Sequence, residues 1–209
     1  MPEEEHITLN DELIYALYHD ENADCIRALL AAGADANADD GADHTALHLA
    51  VERNEPEIVQ LLIENGARLN PLNEHGWTPL RCAADESRVE CARLLLAAGV
   101  DACADAASFS VLHKAACLKT SDLLRMLLPL GLDLEARDDG GQTPLFYAAQ
   151  YGCCENLRLL LEAGADAHAR DHRGTTPLMS LYEDCTAHEA DEKHRLLLAA
   201  GAELPASES

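Results

Sequence analysis

Apolar residues along this chain come in short paired runs. From residue 45, Leu47, Ala50 and Val51 share the spacing of one face of a helix about two turns long. After Asn54-Glu55-Pro56 a second run, Ile58, Val59, Leu61, Leu62 and Ile63, predicts a second helix. Gly66 follows it, a residue suited to turning left-handed past a helix end. The stretch 67–77 holds Asn70, Pro71, Asn73 and Gly76, turn-forming residues that predict a hairpin-like finger rather than a helix. Neither helix is long enough to stand alone in water, so each pair must be stabilised by stacking on its neighbours.

The same pattern returns along the chain. Thr78-Pro79-Leu80, Thr143-Pro144-Leu145 and Thr176-Pro177-Leu178 are clean copies of one triplet. Thr45-Ala46-Leu47-His48 and Ser110-Val111-Leu112-His113 are worn copies, and Glu12-Leu13-Ile14-Tyr15 is a degenerate first one. The steps from Thr45 to Thr176 are 33, 32, 33 and 33 residues, with a glycine 21 residues after each of the first four: Gly66, Gly99, Gly131 and Gly164. A Thr caps a helix through its hydroxyl, and a Pro suits the first helical position, where no amide hydrogen bond is lost. A period near 33 with Thr-Pro-Leu-His and a closing Gly-Ala-Asp resembles the ankyrin repeat.

The resemblance implies an all-α ankyrin-repeat solenoid of stacked helix–turn–helix units with hairpin-like fingers. It spans a single array over residues 1–204, with repeats near 2–36, 37–69, 70–102, 103–134, 135–167 and 168–204 and a frayed tail at 205–209. Ala83-Ala84, Ala115-Ala116 and Ala148-Ala149 should let first helices approach closely, and the triplets Leu94–Leu96 and Leu159–Leu161 should fill the space between layers. By the same resemblance His48 and His113 bond backbone between repeats, and Asn37 and Asn70 sit where related proteins can be hydroxylated. Repeat 6 takes 25 residues from Thr176 to Gly201, and its four extra residues, within Asp184–Asp191, are expected to lengthen the link between its helices. The finger before Ser110 is one residue short, so its tip, residues 106–109, should differ from the others.

Composition narrows the partner class. Fifteen basic residues against 38 acidic ones give a net charge of −23, which argues against binding nucleic acid or an anionic membrane and for a cationic partner. The acidic Met1–His6 stretch has no apolar core of a secretory leader, and no apolar run is long enough to span a membrane. The eight cysteines form no Cys-x-x-Cys pair and are read as reduced structural fillers of a cytoplasmic protein.

Five arginines (Arg27, Arg93, Arg125, Arg158 and Arg195) recur just before the Leu run of the second helices and predict one basic row along the back. In the family, partners are met mostly by the two residues seven and eight after the Thr and by residues just before it. Those positions give as protein-binding candidates Asp20, Glu52, Arg53, Asp85, Glu86, Leu118, Tyr151, Glu183 and Asp184, then Asp43, His44, His75, Trp77 and Phe109 from the fingers, with Tyr147 further along the same side. The only Trp and one of two Phe residues are thus expected at exposed finger positions, ringed by acids, as in a protein-binding hot spot.

No phosphate-loop, nucleophile-elbow or zinc-protease motif is present, and neither His168/His172 nor His188/His194 has a cysteine at ligand spacing. The expectation is a non-enzymatic monomer without cofactor or metal. It would bind, and thereby inhibit or neutralise, a basic protein, as an immunity protein does a cationic toxin. The alternatives are an adaptor or regulatory subunit, or a host-directed effector, linking two partners.

Overall fold

The computed structural model describes residues 7–105, 108–184 and 187–203, and side chains only outside 182–189. The tip at Ala106–Ala107, the side chains of Glu183 and Asp184, and the tail 205–209 therefore lie outside the described residues. The chain divides into two compact units, residues 1–106 and 107–209.

The first unit holds three helix pairs: α1 (Leu9–Tyr18) with α2 (Ala23–Ala32), α3 (Ala46–Glu52) with α4 (Pro56–Glu64), and α5 (Pro79–Asp85) with α6 (Val89–Ala97). First helices pack on first helices, α1 on α3 and α3 on α5, while α4 packs on α2 and α6. The second unit repeats the plan with α7 (Val111–Cys117) and α8 (Asp122–Leu127), α9 (Pro144–Gln150) and α10 (Cys154–Glu162), and α11 (Pro177–Asp184) and α12 (Ala187–Ala199). Among the described residues no strand forms; one isolated bridge, Asp39 to Thr45, marks a finger.

Each core is built from the residues the periodicity selects. Leu13, Ile26, Leu47, Ile58, Leu62, Leu80 and Leu95 are buried in the first unit, and Leu112, Leu123, Leu145, Phe146, Leu157 and Leu160 in the second. The paired alanines of α5, α7 and α9 are buried, as close helix approach demands. Pro129 cannot donate a helical hydrogen bond, and α8 gives way to a 3₁₀ turn over Leu128–Leu130. The link at Gly152 runs so close to α7 and α9 that a Cβ would overlap the Ala116 carbonyl oxygen and sit 2.9 Å from Ala148 Cα.

The Thr or Ser starts of the first helices are not all alike, and Thr143 makes no side-chain cap bond. Thr78 and Thr176 accept from the backbone N–H three residues on, at 3.2 and 3.3 Å. Where His stands at that third position, its ring takes over. His48 Nε2 meets the Trp77 carbonyl oxygen at 3.0 Å. A carbonyl only accepts, so Nε2 carries the proton and Nδ1 accepts from Thr45 N and Oγ1 at 3.3 and 3.0 Å. His113 repeats this with Gln142 O at 3.1 Å and with Ser110 N and Oγ at 3.1 and 2.8 Å.

Repeat 6 departs from expectation. Its extra residues are taken up mainly in α12, 13 residues long against 9 in α10, rather than lengthening a loop. The stretch Ala187–Lys193 has no Gly or Pro and consists mostly of good helix formers, so continuing the helix is the cheaper backbone choice.

Candidate protein-binding face

The finger that carries Trp77 is fixed from both sides. Asn73, 5% exposed, accepts from the backbone N–H groups of His75 and Trp77, both at 3.0 Å. The Trp77 carbonyl is in turn held by His48. The indole is half-buried rather than exposed: the His75 ring lies 5.4 Å away and the Arg81 guanidinium 5.3 Å from the ring centre. Arg81 is itself only 4% exposed, so the Trp is stiffened by its own helix and does not project freely.

Trp77 still borders a cleft of about 180 Å³, shared with His44, Glu52, Asn73, His75, Cys82, Asp85 and Glu86. Six of the sequence-derived candidates (His44, Glu52, His75, Trp77, Asp85 and Glu86) thus meet in one place. His44 Nε2 lies 3.1 Å from Glu52, and Glu86 pairs with Arg88 at 2.9 Å. The Cys82 thiol reports the local potential. Burial, then the negative charges of Glu52, Glu86, Asp105 and Asp85, push it up to about 12, so it stays protonated and unreactive.

Other candidates have structural duties. Arg53, its side chain 10% exposed, donates to the carbonyls of Ala16, Leu17 and Glu21 at 3.2, 3.1 and 2.8 Å. It satisfies the carbonyls at and just beyond the end of α1, so it is withdrawn from the binding set. Asp20 and Asp43 are exposed but occupy left-handed turn positions, with φ of +56° and +64°. The same carbonyl-capping role recurs where the sequence reading missed it. Arg88 reaches Glu52 O at 3.4 Å, Asn156 reaches Ala115 O at 3.2 Å and Leu118 O at 2.8 Å, and Lys193 reaches Ala149 O at 2.8 Å. A signal was available: Asn156 stands at the offset where buried Ile58 and Cys91 stand, and Lys193 joins it once the insertion is counted.

Several finger acids are likewise committed. Asp40, Asp138 and Asp171 each accept backbone N–H bonds from the residues two and four positions on, the role Asn73 plays in its finger. Burial alone would raise the Asp40 and Asp171 carboxyls, but these and neighbouring side-chain bonds hold both below their ordinary value. Asn37 is also engaged, its Oδ1 accepting from Arg68 N at 2.7 Å.

In the second unit Phe109 is half-buried, edge-on to Tyr147 at 4.8 Å and 5.2 Å from His113. Tyr147 donates to Asp138 at 2.6 Å, and burial followed by that bond raises its phenol well above the usual range. Phe109 and Tyr147 therefore brace a finger, whereas Tyr151 remains 42% exposed. Leu118 is half-buried, its carbonyl accepting from Cys153 N as well as Asn156.

Four of the five arginines of the expected row make ion pairs. Arg27 pairs with Asp24 and Glu57, Arg93 with Glu90, Arg125 with Glu155, and Arg158 with Glu155 and Glu192. Charge is unevenly divided between the units. Residues 1–106 carry six basic and 22 acidic residues (−16), residues 107–209 nine and 16 (−7). Among the described residues no group of three or more His, Cys, Asp or Glu could hold a metal ion, and no helix is long and apolar enough to cross a membrane.

Comparison with known proteins agrees with the architecture. The family model for ankyrin repeats (3 copies) matches residues 13–106 and 103–171. Human ankyrin repeat and SOCS box protein 3 is 34% identical over 152 residues, 68% of this chain and 28% of that protein. Inversin from Canis lupus familiaris is 31% identical over 142 residues, 66% of this chain and 13% of its own length. The chain thus spans less than a third of these relatives. An ankyrin repeat domain from Acinetobacter baumannii superposes with a TM-score of 0.79 at 27% identity, covering 92% of this chain and 98% of that one. The ankyrin repeat domain of Bcl-3, of the IkappaB protein family, gives 0.74 at 26% identity over 91% and 86%. The chain therefore belongs to the ankyrin repeat family, whose arrays are protein–protein interaction modules and generally non-enzymatic binding scaffolds.

Proposed function

We propose that this protein binds a basic protein partner through the Trp77 cleft of its first unit and, by occupying that partner, inhibits or neutralises it. One observation carries the reading: three carboxylates and an aromatic edge converge in a cleft within a unit of charge −16. Such a field accelerates the encounter with a cationic surface, and a ring already held in place loses little entropy on binding. An immunity protein acting in the cytoplasm as a monomer against a cationic toxin is one form this takes. Adaptor and effector readings need a second face. Four of the five arginines that would supply it already pair with acids of the chain itself, which favours the inhibitor.

Site-specific photocrosslinking tests the proposal. A benzoylphenylalanine in place of Glu86 should capture a basic protein from the native cell, while the same group in place of Arg93 should not. Capture only from position 93 contradicts it.

A further inference from the structure

A second concavity of about 610 Å³ lies in the same unit, between α1 and the finger at Asp39–Gly41. Its walls include Tyr15, Tyr18 and His19 of α1 and its C-cap, with Asp11, Asp39 and Asp40 around them. Among the described residues no lysine or arginine lines it. Helix α1 stacks through Leu13, Ile14, Ala16 and Leu17. Tyr15 and Tyr18 take no part in that packing and remain 62% and 54% exposed. Two rings three residues apart on one helix, turned out of the core, are more than a solvated helix face requires.

The rings are nevertheless positioned. Tyr18 donates to Asp40 Oδ2 at 2.5 Å, and Tyr15 lies against His19 with ring centres 4.0 Å apart. Asp40 is fixed by its finger, so Tyr18 is tethered to that finger. The hydrogen bond to Asp40, then burial, then the charges of Asp40 and Glu52 push the Tyr18 phenol up to about 12. Glu52 also lines the Trp77 cleft, so the two concavities share one negative field.

Resting on the proposed function, we infer that the Tyr15–Tyr18–Asp39 groove is a second subsite that receives a cationic side chain, with arginine the best fit, from the same basic partner. A guanidinium packs over an aromatic face and can pair at its edge with a carboxylate; within this chain the Arg81 guanidinium already sits over Trp77, 5.3 Å from the ring centre. Aromatic rings supply the contact area, and the acidic rim selects the charge.

The test uses the whole chain, isotopically labelled for NMR, and the blocked pentapeptide Arg-Gly-Arg-Gly-Arg, with its citrulline analogue as the uncharged match. The arginine peptide should shift the resonances of Tyr15, Tyr18 and Gly41 saturably, and the citrulline peptide should not. Tyr15→Ala should weaken that response about fivefold and Tyr15→Phe should leave it intact, since the ring and not the hydroxyl makes the contact. Neither variant should alter shifts around Trp77. Shifts confined to the Trp77 cleft overturn this inference and leave the proposed function standing. Shifts at neither place overturn both, and equal shifts with citrulline overturn the cationic assignment.

Discussion

Acidification should loosen this fold through His48, and the size of the effect follows from its surroundings. The ring is fully buried, its Nε2–H donated to Trp77 O and its Nδ1 accepting from Thr45 N and Oγ1. Burial, which disfavours the imidazolium, pushes its pKa down from 6.5 to about 4. Between those values the unfolded chain binds a proton that the folded chain refuses. The stabilisation from a neutral His48 is therefore complete above pH 6.5, is lost as pH falls towards 4, and changes no further below that. At about 1.4 kcal/mol per pH unit the whole shift corresponds to roughly 3 kcal/mol, of which about 2 kcal/mol is lost by pH 5. Carboxylates titrate over the acid end as well, protonation relieving the repulsion of a chain of charge −23 but costing the bonds of acids such as Asp40 and Asp171, so the parent is compared with a variant. Urea unfolding followed by circular dichroism at pH 7.5, 6 and 5, on the parent and on His48→Gln, isolates the term. The parent's advantage should shrink by about 2 kcal/mol across that range. A gap that stays constant with pH refutes the assignment of a buried neutral His48.

Other variants test the remaining structural claims. Gly152→Ala places a methyl group against the Ala116 carbonyl and Ala148, and should cost about 3 kcal/mol in urea unfolding. Lys193→Met removes the donor to buried Ala149 O and should cost about 2 kcal/mol, whereas Lys193→Gln, which keeps a donor, should cost less. Arg53→Ala frees the carbonyls of Ala16, Leu17 and Glu21, so hydrogen exchange should quicken in α1 while α5 and α6 keep their protection.

Much of this architecture could be read from the chain because the information is periodic. A Thr-Pro-Leu start, two apolar runs and a glycine, repeated at 32–33 residues, specify helix, helix and turn wherever they occur. The neighbour-bonding of His48 and His113 followed from the resemblance to the ankyrin repeat, and both rings do bond the backbone of the next repeat. Side-chain fates set by single tertiary contacts were not legible. Nothing near Trp77 in sequence shows that Arg81, one helical turn on, would cover its ring, nor that Arg53 would fold back onto α1. Asn156 and Lys193 could have been caught as polar residues at apolar offsets. The acids of the fingers could not be sorted by sequence into those that hold two backbone N–H groups, such as Asp138, and those that hold one, such as Asp39, because both are aspartates in turn-rich segments.

Binding kinetics of the photocrosslinked partner, measured by surface plasmon resonance, test the central claim most directly. Trp77→Ala should weaken binding by about 2 kcal/mol, roughly 30-fold, mainly through faster dissociation. Asp85→Lys combined with Glu86→Lys should slow association and flatten its salt dependence. Arg93→Ala combined with Arg125→Ala should bind like the parent. The account is contradicted if the two cleft variants bind like the parent while the arginine variant does not.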